Sequence, residues 1–308
     1  MMRILIVGCG DVGLRVARLL GGRARVYGLI RNPKRASDLR AAGVVPLIGD
    51  LDEHAGLARL ASLADAVLHF APPPAAGDTD PRTQRLIASL GRRSLARVHA
   101  RSGLNGYVYR HGNKDLRSRA LVYISTSGVY GDCGGERVEE TRPICPHNAR
   151  AKRRADAERR LRRWAGHTGR RLAILRAPGI YARGRIPEER VRKGLPALRP
   201  EEDIHTNHIH AEDLARLAIV ALFRGRPNRV YNAVDDSGLK MGDWLDVVAD
   251  HLGLPRPPRL AKDEVMAAVT PAMRSFLTES RRLANRRIKQ ELRFRLKYPT
   301  VREGLGIG

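Results

Sequence analysis

At 308 residues with 43% apolar side chains, the chain has the size and composition of an ordinary folded protein, which excludes disordered and fibrous classes. Lysine and arginine number 57 against 32 acidic residues, a formal charge of +25 that suggests an anionic partner. The excess is nearly all arginine and aromatic residues make up only 5%, so a solvated basic surface is favoured over a nucleic-acid interface built on stacking.

The predicted elements begin at once. RILIVG (3–8) is a short apolar run ended by glycines, which reads as a buried strand and not as a signal peptide, and no later run is long enough to span a membrane. DVGLRVARLLG then has helical periodicity, and RVYGLI (25–30), VVPLIG (44–49) and AVLHFA (66–71) are further strands. A helix is predicted from Thr83 to about Leu90, a strand at ALVYIS (120–125), and a basic helix within PHNARAKRRADAERRL (146–161), where Ala149, Ala151, Ala155, Ala157 and Leu161 share the apolar face. RLAILR (171–176), the helix of HAEDLARLAIVALFRG and RVYNAV (229–234) complete the alternation. Near-continuous apolar runs fit strands buried on both faces, so the predicted fold is α/β, a doubly wound parallel sheet with a smaller C-terminal lobe.

The expected domains are 1–176 for the sheet and 177–308 mainly for the lobe, with 229–234 returning to the sheet. Residues 92–119 exceed what a crossover needs and read as a basic insertion. Asn105-Gly106 there suggests a hairpin turn with Tyr107 and Tyr109 on one face. A flap, a partner surface and a plain solvated excursion all remain open for it. Cys9, Cys133 and Cys145 form no Cys-x-x-Cys pair, so no disulfide or zinc framework is expected, and a reducing, cytoplasmic setting is.

Gly8-x-Gly10-x-x-Gly13 stands between the first strand and the first helix, with Cys9, Asp11 and Val12 inside it. There the first glycine permits the turn, the second lets a pyrophosphate approach the backbone, and the third packs helix on strand. In IRNPKR (30–35), Arg31 with Lys34 or Arg35 can neutralise a ribose 2′-phosphate, which favours NADP over NAD; stacking of Arg31 on adenine suits either. After the third strand, Asp50 beside Leu51 can accept from the adenine amino group or simply cap the next helix.

With STSGVYGD (125–132), LRAPGIYARGR (175–185), HIHAEDLA (208–215) and the closing RRLANRRIKQEL, these pieces resemble the extended short-chain dehydrogenase/reductases, in particular the NAD(P)-dependent epimerase/dehydratase group and its atypical members. The resemblance implies a Rossmann domain, a substrate lobe and hydride transfer at a carbonyl or hydroxyl of a substrate such as a nucleotide sugar. It assigns Ala71, Pro72, Pro178 and Ile180 to the cofactor and Thr126 to orienting the substrate. The family's helix runs Pro, Tyr, Lys, Glu in steps of four, and here that frame reads Pro146, Arg150, Arg154, Glu158. Arg150 stays protonated and cannot shuttle a proton, whereas Arg154 keeps the charge that would hold the nicotinamide ribose. A shifted frame using Asn148 and Lys152 loses both anchors and still lacks the tyrosine.

Tyr181 is the candidate alternative acid, with Tyr130 behind it, although both positions are commonly structural in the family. His205-x-x-His208-x-His210 matches no metal signature, so no metal is expected. Asn207, His208, Arg185 and Arg282 are candidates for an anionic small-molecule substrate. An NAD(P)-dependent oxidoreductase or epimerase-like enzyme is the leading expectation. Its rivals are a non-catalytic NADP-binding redox sensor and a nucleic-acid-associated basic protein, and a homodimer is left open.

Overall fold

The computed structural model describes residues 1–53, 56–91 and 120–307, so the basic segment 92–119 and its predicted hairpin lie outside the described residues. The strands are Met2–Val7 (β1), Ala24–Ile30 (β2), Val44–Ile48 (β3), Ala66–His69 (β4), Ala120–Thr126 (β5), Arg137–Val138 (β6), Arg171–Ala177 (β7), Gly179–Tyr181 (β8), Ala197–Leu198 (β9), His208–His210 (β10), Arg229–Asn232 (β11), Arg259–Leu260 (β12) and Arg282–Leu283 (β13). The main helices are Asp11–Leu20 (α1), Ala36–Ala41 (α2), Pro81–Gly91 (α3), Ala149–Thr168 (α4), Glu188–Arg192 (α5), Ala211–Arg224 (α6) and Met241–Leu252 (α7).

The seven apolar runs form one parallel sheet in the order β11-β7-β5-β4-β1-β2-β3, flanked by helices in a Rossmann-like α/β fold. At its centre Ile4 pairs with Val26 on one side and Ala66 on the other. Ile4, Leu5, Ile6 and Val7 have no solvent exposure, which is why the run is apolar at every position instead of alternating. The strand order reverses between β1 and β4, and ligands of such sheets sit beyond the strand ends at that reversal.

Helix α1 buries Val12, Gly13, Val16, Ala17 and Leu20 along one face and ends at Gly21 in the left-handed conformation. Helix α4 buries Ala151, Ala155, Ala157 and Leu161 as its pattern requires. Ala149 is exposed instead, because the helix only begins there: the Asn148 side-chain oxygen accepts from Ala151 N at 2.9 Å, and the first turn stays in water. The same helix buries Arg153, Asp156 and Glu158, so it is not simply an arginine-rich face turned to solvent.

The chain folds as two compact units. One comprises Met1–Ser125, Lys152–Leu175 and Ala218–Arg229; the other comprises Thr126–Ala151, Arg176–Leu217 and Val230–Gly308. The second unit takes the segment after β5 as well as that after β7, and the first takes the C-terminal part of α6. The second unit has three two-stranded pairs, β6 with β13, β8 with β10 and β9 with β12. Its core packs Tyr181 and Val191 against Trp244, Leu245 and Val248 of α7, with Val301 and Leu305.

Candidate functional site

In the first unit, a cavity of about 310 Å³ opens beyond the ends of β1, β2 and β3. Gly8 has φ of +81°, and a Cβ there would stand 2.5 Å from the backbone nitrogen of Ala71, so both conformation and space exclude a side chain. Gly10, at the N-terminus of α1, would carry a Cβ into open space, which leaves its backbone accessible from the cavity. At Gly13 a Cβ would press on Ile6 at 3.1 Å and on the Cys9 Sγ at 3.2 Å, marking close packing of helix on strand. The three positions thus meet the three demands of a dinucleotide loop, and the helix terminus adds partial positive charge for a pyrophosphate.

Gly8, Cys9, Gly10, Arg31, Asp50, Leu51, Ala71 and Pro72 all line this cavity. Burial pushes the Cys9 thiol up to about 11, so Cys9 contributes backbone and bulk, not a thiolate. Asp11 turns to Arg15 at 2.9 Å, while Val12 and Gly13 are buried in the helix beneath. Lys34 does not line the cavity; Arg35 does. The cause is a 3-10 turn at Pro33–Arg35, capped by Asn32 Oδ1 accepting from Lys34 N at 3.0 Å, which leaves Lys34 exposed. Asp50 caps no helix: its Oδ1 accepts from Asp52 N at 2.9 Å and shapes the turn after β3.

Arg82 was not foreseen as a lining residue. It reaches the cavity from α3, donating to Asp52 Oδ1 at 2.8 Å and to the carbonyl oxygens of Pro72 and Pro73. Its guanidinium holds the Asp52 carboxyl below the usual range. No local motif announces it, because α3 and the loop after β3 meet only in the folded chain.

Next to the end of β4 lies a buried polar chain. His69 Nε2 is 2.9 Å from Thr83 Oγ1, and Thr83 donates its own proton to Asp80 Oδ2 at 2.7 Å. Thr83 must therefore accept from His69, which puts the imidazole proton on Nε2 and leaves Nδ1 without a partner among the described residues. Burial first, and the Arg154 charge second, push His69 down to about 3, so it is neutral. Its ring lies 5.1 Å from that of Tyr123, whose hydroxyl accepts from Arg154 Nη1 at 3.0 Å. Arg154 Nη1 also donates to the Ile124 carbonyl at 2.8 Å.

The model of the NAD dependent epimerase/dehydratase family matches residues 4–233. The chain belongs to that family. It is 26% identical over 263 residues to an uncharacterized protein of Schizosaccharomyces pombe, covering 82% of each chain. Among solved structures it is similar to a functionally unknown conserved protein from Silicibacter pomeroyi, with 32% identity, a TM-score of 0.77, and 99% and 97% of the two chains covered. It also shares its fold with a dTDP-glucose 4,6-dehydratase from Bacillus anthracis in complex with NAD, at 16% identity and a TM-score of 0.73 over 99% and 94% of the chains.

In this epimerase/dehydratase family member, Arg154 and Arg150 are both engaged with neighbours. Arg154 holds Tyr123 and Ile124, and in the second unit the Arg150 guanidinium lies 4.8 Å from the centre of the Phe276 ring. Neither guanidinium can lose a proton. Thr126 is half-buried, and its Oγ1 accepts from Gly128 N at 3.2 Å, capping the 3-10 turn Ser127–Tyr130.

Tyr181 is corrected as the alternative acid. It is 1% exposed in the core of the second unit, donates to the Thr300 carbonyl at 3.1 Å, and packs edge-on against Trp244 at 5.7 Å; burial pushes its hydroxyl far up. Tyr130 is likewise buried and donates to Asn232 Oδ1 at 2.8 Å. Pro178 and Ile180 belong to the second unit, at and beside β8, and do not line the cavity of the first.

Of the substrate candidates, Asn207 and Arg282 line one cavity of the second unit. Arg185 is exposed at the Ala182–Arg185 bridge, outside that lining. His208 is buried against Trp244, ring centres 4.4 Å apart, and is pushed down to about 3 by burial, so it is a neutral packing group. His210 packs on Tyr298 at 3.9 Å. Among the described residues no cluster of three histidine, cysteine or acidic side chains is arranged to hold a metal, and no helix is long and apolar enough to cross a membrane.

Proposed function

We propose that this chain is an NADP-linked oxidoreductase or epimerase-like enzyme acting at a carbonyl or hydroxyl carbon of a small anionic substrate. The observation that carries the reading is the glycine cradle: Gly8 tolerates no Cβ against Ala71, and Gly10 leaves its backbone open to the cavity. A bound nicotinamide dinucleotide would supply the hydride acceptor or donor. The amides around Gly10 would hold its pyrophosphate, and Arg31 with Arg35 on the lining would neutralise a 2′-phosphate, which supports NADP over NAD. Thr126 would orient the reacting oxygen. Proton transfer falls to a group outside α4, since Arg150 and Arg154 are permanently charged. The nucleotide-sugar dehydratase among the structural neighbours supports a sugar-like substrate.

The test is NADPH oxidation with a panel of carbonyl compounds, including nucleotide sugars. Turnover should be lost in Thr126→Ala and restored in Thr126→Ser, which keeps the hydroxyl that caps the turn. A second reading, a non-catalytic NADP(H)-binding sensor, is favoured by the engagement of Arg154 with Tyr123 and Ile124 and of Arg150 with Phe276. It predicts a higher melting temperature with NADP(H) and no turnover. If neither NADP(H) nor NAD(H) raises the melting temperature, both readings fail.

A further inference from the structure

In the C-terminal half of α4 the chain reads Arg159-Arg160-Leu161-Arg162-Arg163, with Leu161 fully buried and the four guanidiniums arrayed around it. Arg160 turns toward α3, donating to Gln84 Oε1 at 2.9 Å, and also meets Asp156 Oδ2 at 2.6 Å. Arg162 turns to the opposite flank and donates to the Asn228 carbonyl at 3.3 Å. Arg159 and Arg163, one helical turn apart, therefore face outward between those flanks, and both are exposed. Like charges at that spacing destabilise a helix. The two acids of α4, Asp156 and Glu158, are both buried, and Asp156 reaches Arg159 only at 3.7 Å.

The end of α6 and the loop after it extend the same surface of the first unit. Asn228, the acceptor for Arg162, follows Arg224 and Arg226, both exposed. Arg171 fastens the end of α6 to β7 by donating to the carbonyl oxygens of Leu222 and Phe223 at 2.8 and 3.1 Å. Across the two segments of that unit involved, residues 152–175 and 218–229, every exposed charged side chain is basic. Within this setting Phe223 holds a ring that is 50% exposed.

A row of guanidiniums by itself suits any polyanion. An aromatic ring kept open to water beside it narrows the choice, because bases stack on such rings while their phosphates meet arginine. A bilayer surface would call for an apolar face, and the exposed side chains of α4 from Lys152 onward are all polar or charged. Aromatic residues are scarce in this chain, but here one stands where a base could use it.

We propose that this face of the first unit binds single-stranded nucleic acid without sequence preference, with backbone phosphates on Arg159, Arg163 and Arg226 and a base stacked on Phe223. The contacts are to phosphate and to a ring face, neither of which distinguishes one base from another. None of these residues lines the dinucleotide cavity, so the proposal stands or falls apart from the cofactor reading.

The experiment is fluorescence anisotropy titration of the whole chain with a labelled oligouridylate of about 12 nucleotides, over about 50 to 300 mM salt. Binding should weaken with salt at a log–log slope of about −2, as three phosphate contacts on a single strand require. The double variant Arg163→Gln/Arg226→Gln should bind about tenfold or more weakly at low salt and flatten the slope to about −0.7. Phe223→Ala should bind about tenfold more weakly at every salt concentration with the slope unchanged, and Phe223→Trp should restore the affinity. All of these variants should melt with the parent, because the substituted residues are exposed. The proposal is overturned if the oligonucleotide does not bind, if the arginine double variant binds it undiminished, or if Phe223→Ala leaves the affinity as it was. It is also overturned if polyglutamate of equal charge, or phosphatidylserine vesicles, displace the oligonucleotide and bind this face as tightly.

Discussion

Alanine at Gly8 and alanine at Gly10 should do opposite things, although the two residues are two apart in one motif. At Gly8 the added Cβ must tolerate φ of +81°, a left-handed conformation costing roughly 1–2 kcal/mol. It also meets the Ala71 backbone nitrogen at 2.5 Å and Cα at 2.6 Å, atoms that cannot swing aside as a side chain would. Overpacking of that kind costs roughly 1–3 kcal/mol, so Gly8→Ala should lose about 2–5 kcal/mol of stability. At roughly 2 °C per kcal/mol for a chain of this size class, that is a fall of about 4–10 °C in melting temperature. Gly10 has φ of −87°, and its Cβ would meet nothing within 4 Å, so Gly10→Ala should melt within a degree or two of the parent. Its cost should appear in binding, because a methyl placed where a pyrophosphate must approach removes charge-assisted hydrogen bonds worth roughly 1.5–3 kcal/mol, about 10- to 150-fold in Kd. Scanning fluorimetry and NADPH fluorescence titration on the two variants measure both effects. Undiminished NADPH affinity in Gly10→Ala would refute the assignment of this cavity to the pyrophosphate, and a parental melting temperature in Gly8→Ala would refute the steric argument.

Tyr181→Phe should lower stability by about 1 kcal/mol, the worth of its hydrogen bond to the Thr300 carbonyl, and leave any turnover intact; loss of turnover at full cofactor affinity would restore it as an acid. Arg35→Glu should weaken NADPH by about tenfold or more and change NADH little, which competitive titration with the two cofactors checks. Acid should cost stability through His69. Its folded pKa, about 3, lies below the ordinary 6.5, so the unfolded chain takes up the proton first; the contribution is complete above pH 6.5 and is lost as pH falls toward 3. At pH 5 the loss is about 2 kcal/mol. Urea melts of the parent and His69→Asn between pH 7.5 and 5 should therefore converge as pH falls. That difference also removes the opposite contribution of Asp235, whose raised pKa makes its share of stability present in acid and lost as pH rises through 7. Parallel stability curves for the two proteins would show that His69 does not titrate on unfolding.

Much of the first unit was legible before folding because its signals are local. Strands buried on both faces must be apolar throughout, and a turn that bends a strand into a helix around a pyrophosphate needs glycine where a Cβ would collide, so both leave marks within a dozen residues. The helix frame is different in kind: only the family resemblance sets Pro146, Arg150, Arg154 and Glu158 against a Pro, Tyr, Lys and Glu in steps of four. Tertiary structure decided what those arginines touch, because a long flexible side chain finds its partner by what lies nearby in space. Spacing could not say that Arg154 would bind Tyr123 and the Ile124 carbonyl, that Arg35 and not Lys34 would face the cavity, or that Arg82 would cross from α3 to Asp52. Nor could it pair Arg137 with Arg282, or bury Tyr181 beneath Thr300. All of these outcomes join segments distant along the chain, and their geometry exists only once the strands and helices have packed.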